Sequence, residues 1–196
     1  MGWNTAIGLC SGLLILGSYV LYIVATIRKQ TKPNRATWFM LATISVVIAA
    51  TYKDVGAEST LYAAIGSAVG TVAIAILSIW YGTGGWSKLD RFCILIASAS
   101  LLIYFLSASP LLTLILFLIM DGAALVPTIQ HARKSPHEED RLAWSLTVLG
   151  DFLAVVAIDH WTFGVALYPI YMVTINGVVL FYLYRPRLIQ QQAPRY

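Results

Sequence analysis

The stretches "TIRKQTKPNRATW" (residues 26–38) and "TIQHARKSPHEEDRLAW" (residues 128–144) follow one recipe. Each closes an apolar run with Thr-Ile, passes through basic residues, a lysine and a proline, and opens the next apolar run with an arginine three residues before a tryptophan. Thr26, Ile27 and Lys32 recur 102 positions later as Thr128, Ile129 and Lys134. Arg35 and Trp38 recur 106 positions later as Arg141 and Trp144, after an acidic insertion. Positive loops followed by a boundary tryptophan could look alike by chance, but this many residues in the same order point to a unit built twice.

What lies between the two stretches sets their environment. The 196-residue chain is 59% hydrophobic and 11% charged, with nine acids against thirteen lysines and arginines. Soluble domains carry roughly 25% charged residues, so this chain cannot cover an apolar core with a charged shell and reads as an integral membrane protein. Apolar runs fall at about 5–27, 37–52, 59–82, 92–109, 110–130, 142–158 and 161–184. A helix rising about 1.5 Å per residue needs roughly 17 to 25 residues to cross the hydrocarbon, which predicts seven spans. The fourth and fifth are separated only by "LSASPLL", so a turn is expected between Ser107 and Pro110, with the proline opening the next helix. A cleaved signal peptide is not expected, because the first run is long and "MGWN" lacks a basic head. Cys10 and Cys93 both lie in apolar runs and read as packing residues.

Charge placement gives an orientation. Arg28, Lys29, Lys32 and Arg35 follow the first span; Lys88 and Arg91 follow the third; Arg133, Lys134 and Arg141 follow the fifth; Arg185, Arg187 and Arg195 follow the last. Twelve of the thirteen cations thus share one side, with Lys53 opposite. The positive-inside rule puts the N-terminus outside and the C-terminus in the cytoplasm. The bilayer accounts for the basic balance, and no nucleic-acid partner is needed. Trp3, Trp38, Trp80, Trp86, Trp144 and Trp161 sit near span ends and read as interfacial anchors.

The repeated loops follow the first and fifth spans, on one side. Three helices reverse the chain, so two three-helix units share an orientation only if one further helix lies between them. The expected architecture is therefore an all-α integral membrane protein of seven transmembrane helices. Residues 1–84 form a first three-helix repeat, 85–109 a linker helix that inverts the chain, 110–184 a second parallel repeat, and 185–196 a cytoplasmic tail.

This topology, with "VPTIQHARKSP" at the cytoplasmic end of the fifth span, resembles the PQ-loop and SWEET transporters. Their motif starts with a Pro-Gln-Ile-like segment, continues through a basic stretch and ends in Lys-Ser. Pro127, Ile129, Lys134 and Ser135 match in kind, Thr128 stands where the glutamine belongs, and Ala25 replaces the proline in the first copy. The resemblance implies transport of a small solute by alternating access. It also implies that Asn176, on the last helix of the second repeat, lines the solute pocket.

The residues themselves mark a site. Hydrocarbon penalises a charged side chain, and only Asp121 and Asp151 lie inside spans, Asp121 about 16 Å from the outer face and Asp151 about 14 Å from the inner face, both near the midplane. Such acids face a bundle interior or a wet cavity, either as a site or as a hydrogen-bonding lock between helices. If they face each other, both cannot ionise cheaply. At the repeat offsets Asp121 corresponds to Tyr19, Asp151 to Ser45, and Asn176 to Gly70, which places the polar equipment in the second half. Asn176 serves equally well as an interhelix hydrogen bond. Tyr168 and Tyr171 line a cavity or simply pack. Pro127 is the candidate hinge, and Gly17, Gly66, Gly70, Gly122 and Gly177 permit close helix approach.

Enzyme signatures are missing: there is no Gly-rich phosphate loop, no metal spacing and no nucleophile triad. His131 and His137 belong to the cytoplasmic loop, and His160 sits beside Asp159 at the outer boundary, all as solvated residues. "PHEED" reads as a solvated charge run that can pair with Arg133 and Lys134. The last span has no lysine, which excludes a retinal Schiff base. The expectation is a non-enzymatic transporter of a small polar solute, such as a sugar, amino acid or vitamin-like compound, with protons as a coupling ion and no cofactor or metal. Asp121, Asp151, Asn176, Tyr19, Ser45 and Tyr171 form its substrate site. A homo-oligomer stays open, as does a different class: a seven-helix sensor or scaffold that does not transport.

Overall fold

The computed structural model describes residues 2–82, 109–134 and 139–192, with the single positions Arg91, Leu95, Ser98, Leu102 and Pro136 between them; side chains at 36, 127, 131 and 186–192 are outside this description. The described residues contain no strand. They form α1 (Trp3–Ile27), α2 (Arg35–Asp54), α3 (Leu61–Tyr81), α4 (Pro110–Lys134), α5 (Arg141–Val156) and α6 (Phe163–Gln192). Four of these, α1, α3, α4 and α6 through Arg185, are long and apolar enough to cross a membrane. The helix α2 carries Thr37, Thr43, Ser45 and Thr51 and is less apolar, while α5 has 16 residues, about 24 Å. The expected fourth span, 92–109, lies almost wholly outside the described residues.

Sequence chemistry sets the helix ends. Asn34 caps α2 by accepting from the Thr37 amide at 3.2 Å, and Asp140 caps α5 by accepting from the Leu142 and Ala143 amides at 2.9 and 3.1 Å. A side-chain oxygen there satisfies amides that have no partner inside the helix. The two caps are 106 positions apart, each immediately before the repeated arginine. As expected, Pro110 opens α4, where its missing N–H is harmless. At the end of α1, Lys29 takes a left-handed φ of 60° and lets the Gln30 amide reach back to the Ala25 carbonyl at 2.9 Å.

The helices touch in a closed cycle: α1 on α3, α3 on α2, α2 on α4, α4 on α6, α6 on α5, and α5 on α1. At one end of the cycle Gly164 meets Val55 and Leu111, and Asn4 Nδ2 donates to the Ile158 carbonyl at 3.4 Å. At the other, Arg35 Nε donates to the Ser78 carbonyl at 3.0 Å, and Gly82 lies against the Pro33 carbonyl. The chain leaves α3 at the second, basic end and enters α4 at the first.

Several expectations are corrected by the packing. Cys10 is exposed on the bundle surface; Cys93 is outside the described residues. Trp38 stacks on Tyr22 with ring centroids 4.9 Å apart, and Trp144 packs on the Ala132, Val179 and Leu183 cluster. Both hold helices together, whereas Trp3, Trp80 and Trp161 are exposed at helix ends as anchors should be. Residue 131 belongs to α4, not to a loop, and α6 continues past 184 to Gln192. In the acidic stretch, Glu139 accepts from the Trp144 indole at 3.1 Å and Asp140 is the cap, so these two acids have local structural partners. Gly17 and Gly177 approach nothing within 4 Å, while Gly66, Gly70 and Gly122 do make close contacts. Close approach also falls on Gly8, Gly12 and Gly150. The spacings Gly8–Gly12 and Gly66–Gly70 are small-x-x-x-small motifs readable from sequence.

Gly12 and Gly66 face each other backbone to backbone: a Cβ on Gly66 would lie 2.5 Å from the Gly12 carbonyl oxygen. Gly66→Ala should therefore destabilise the protein by about 1–3 kcal/mol through overpacking. Gly17→Ala, in open space, should be neutral or stabilising by up to about 1 kcal/mol. Thermal unfolding in detergent checks the contrast, and equal effects would contradict the α1–α3 contact.

Candidate functional site

Hydroxyls inside the spans have no water to bond, so most turn back on their own helix. Thr26 donates to Tyr22, Thr51 to Val47, Ser78 to Ala75 and Thr174 to Ile170, at 2.6 to 2.9 Å. The groups that instead cross between helices define the polar interior.

In the first half, the Tyr19 hydroxyl on α1 lies 3.1 Å from Ser67 Oγ on α3, and Ser45 on α2 lies 2.5 Å from Thr71 Oγ1 on α3. In the second half, the Tyr171 hydroxyl on α6 donates to Asp121 Oδ2 on α4 at 3.2 Å, and Asn176 Nδ2 on α6 donates to Asp151 Oδ2 on α5 at 2.8 Å. Positions 19 and 121 thus each bridge the first helix of a half to its third. Positions 45 and 151 each bridge the second to the third. The sequence offsets paired these same residues, and the bonds give each pair one mechanical task.

The two acids do not sit on touching helices. Between α4 and α5 lies α6, which supplies a separate donor to each carboxylate. Asp151 is buried at 1% exposure and Asn176 at 5%, whereas Asp121, Tyr19 and Tyr171 are half-buried. Glycines make the room: a Cβ on Gly122 would lie 2.8 Å from the Tyr171 hydroxyl, and one on Gly70 would collide with the Tyr19 ring. Gly70 lies 106 positions before Asn176, the same offset as Arg35 from Arg141. The first half therefore puts a tyrosine ring against its third helix where the second half has an amide.

Tyr168 joins this centre as a residue that sequence reasoning left undecided. It is 2% exposed, stacked on Tyr52 at 4.9 Å, and part of the buried cluster against which Tyr19 and Tyr171 pack. Its signal was its place three residues before Tyr171, almost one helical turn. Towards the end away from the basic loops, the Tyr52 hydroxyl donates to the Val165 carbonyl at 2.6 Å and accepts from Thr60 Oγ1 at 2.7 Å. On the α1–α5 seam, Ser11 donates to the Gly150 carbonyl at 2.7 Å and Thr147 to Ser18 at 2.9 Å. Ser45 is used up by Thr71 and its own helix, so it bridges helices beside the centre. The helix α4 runs unbroken through position 127. His160 pairs with Asp159 at 3.2 Å at the periphery.

A groove of about 380 Å³ runs along α6 between Phe163 and Ile175. It is apolar except for Tyr171 and Thr174 and meets the polar centre only through Tyr171. Among the described residues no group of three or more His, Cys, Asp or Glu is placed to hold a metal ion. No protein-family model, curated protein or solved structure matches this chain.

Chemically, the arrangement offers two carboxylates with one oxygen each already bonded, an amide, and phenols from both halves. Asn176→Leu should remove the donor that Asp151 depends on and cost about 1–3 kcal/mol. Adding Asp151→Leu should recover part of that loss, with a coupling of about 0.5–3 kcal/mol in a double-mutant thermal-unfolding cycle. Simple additivity of the two losses would show that the bond does not hold α5 to α6.

Proposed function

We propose that this protein transports a small polar solute across a membrane by alternating access, with the centre around Asp121, Asp151, Tyr19, Tyr171 and Asn176 as its binding site. The carrying observation is that Asp121, in a helix long and apolar enough to cross a membrane, and Asp151, 1% exposed, are each held by a separate donor on α6. Hydrocarbon tolerates such acids at about 2.5–3.5 kcal/mol each on insertion scales, and they commonly mark solute or ion pathways.

The moving bodies in this reading are residues 1–84 and 110–184, parallel three-helix repeats joined by an inverting helix within 85–109. Several features support it. The helix cycle maps onto itself when α1, α2 and α3 are exchanged with α4, α5 and α6. The caps Asn34 and Asp140 are equivalent. Arg35 bonds residue 78, and Arg141 stacks over the ring of residue 184, 5.8 Å from its centroid, which is the same partner position at the 106-residue offset. Parallel repeats of this kind are the resemblance to PQ-loop and SWEET transporters, and they suit rocking about a fixed central site. The basic end faces the cytoplasm by the positive-inside rule.

A scaffold reading draws on one observation, the deep burial of the Asp151–Asn176 bond, which would serve as a polar lock. Counterflow in proteoliposomes, screened with labelled sugars, amino acids and vitamins, separates the two. Asp121→Asn and Asp151→Asn keep shape and hydrogen-bonding capacity but abolish titration. Both should fold and lose at least about ten-fold in uptake, or lose its pH dependence. Unchanged uptake in both variants contradicts this site, and absence of counterflow with every solute favours the lock.

Orientation has its own check. Cysteines placed singly in the 28–35 and 131–140 segments of a cysteine-free background should react with an impermeant maleimide only from the cytoplasmic side. Labelling of either from outside would overturn the orientation and the parallel repeat together.

A further inference from the structure

We propose that α6 is a jointed helix: its outer part, residues 163–168, moves with α2, and Pro169 is the joint beyond which α6 moves with α4 and α5. This goes beyond the transport reading and does not depend on it, because it concerns which helices the two parts of α6 are fastened to.

The joint begins in the sequence. Pro169 lies inside α6, past its first turn, and is buried. A proline there offers no N–H to the carbonyl four residues earlier, and its ring crowds that carbonyl. The carbonyl concerned belongs to Val165, which is 0% exposed. A buried carbonyl without its helical donor must find another. The donor comes from a different helix: the Tyr52 hydroxyl of α2 reaches it at 2.6 Å. The helix α3, third among the first three as α6 is among the last three, contains no proline.

The second observation is how the two parts of α6 are fastened. Before the proline, three contacts tie α6 to the end of α2. Gly164 lies against the Val55 side chain, Val165 accepts from Tyr52, and the Tyr168 ring meets the Tyr52 ring at 4.9 Å. Leu111 of α4 stands further off, 3.6 Å from a Cβ built on Gly164. Tyr52 is itself 0% exposed, and its hydroxyl is steadied by Thr60 at 2.7 Å. After the proline the bonds go elsewhere, from Tyr171 to Asp121 of α4 and from Asn176 to Asp151 of α5. The change of partner therefore falls where the backbone ladder of α6 is interrupted. Prolines are where helices kink, and a hinge is a few residues that absorb a change in backbone angle between packed bodies. Because Tyr52 takes the carbonyl that Pro169 releases, bending at this point uncovers no unpaired group.

The test uses the whole chain in lipid nanodiscs, with Cys10 and Cys93 replaced by serine and nitroxide pairs measured by pulsed electron resonance. One label sits at Phe163→Cys, exposed at the start of α6. The second sits at Ile79→Cys on α3, which packs on α2, or at Leu142→Cys on α5; both positions are exposed near the basic end. The 79–163 distances should be narrowly distributed and the 142–163 distances broad. Pro169→Ala, which returns an N–H to Val165, should narrow the 142–163 distribution to the width of the other. Tyr52→Phe, which keeps the ring, should broaden the 79–163 distribution. Thermal unfolding adds a double-mutant cycle. Tyr52→Phe should lower the midpoint in the native background and by about half as much or less in the Pro169→Ala background, since the loss to Thr60 is common to both. A 142–163 distribution as narrow as 79–163, or one that Pro169→Ala leaves unchanged, would overturn the joint. Equal midpoint losses in both backgrounds would overturn the role of Tyr52. If Tyr52→Phe does not fold, the Pro169→Ala comparison decides alone. Solute uptake enters neither measurement, so failure of the transport reading and failure of the joint are told apart.

Discussion

A carboxylate inside hydrocarbon must be answered by the protein, and this constraint organises the bundle. Asp151 is 1% exposed and lies in a 16-residue helix, shorter than the four helices long enough to cross a membrane. Its bond to Asn176 fixes the register of α5 against α6, and the Asp121–Tyr171 bond does the same for α4. Because both donors sit on α6, that helix sets the separation of the two acids. Had each acid found its partner on a different helix, the carboxylates would be free to part whenever those helices moved. One helix carrying both donors keeps them together as a unit.

The α1–α3 and α1–α5 seams are built differently, from the absence of side chains. Gly12 and Gly66 bring α1 and α3 together backbone to backbone, and Gly150 admits Ile15 of α1 to α5. In membranes, where water drives no association between apolar helices, close van der Waals approach at small residues is the main adhesive. Polar bonds then specify register: Ser11 to Gly150 and Thr147 to Ser18 on the α1–α5 seam.

Much of this was legible in the sequence, for physical reasons. Composition forced the helices, and the offsets of the two similar loops singled out positions 19 with 121 and 45 with 151, which bridge corresponding helices among the first three and the last three. Their bonds show why the pairs differ chemically yet agree in place: hydroxyl to hydroxyl in one half, carboxylate to amide or phenol in the other. Close-approach glycines were only half legible. Gly66, Gly70 and Gly122 are used, but Gly17 and Gly177 face open space, because a glycine in an apolar run does not say which face it occupies. Tryptophans misled at 38 and 144 for a related reason. A boundary residue can turn inward as readily as outward, and Trp38 finds Tyr22 while Trp144 finds the Val179 and Leu183 cluster. The caps Asn34 and Asp140 carried a plain signal, an N-cap residue immediately before each repeated arginine, which the attention to basic residues passed over. Tyr168 had only its place three residues before Tyr171 to mark it, because burial against Tyr52 is a fact of packing.

The central claim is that Asp121 and Asp151, each held by a donor on α6, belong to a solute site and not to a polar lock. The most direct measurement is an experimental map of the protein in lipid with a solute that counterflow shows to be carried, compared with one recorded without it. The account predicts added density within hydrogen-bonding distance of both carboxylates. A centre closed by protein side chains in both maps, with density appearing instead in the groove along α6 or nowhere, would contradict it.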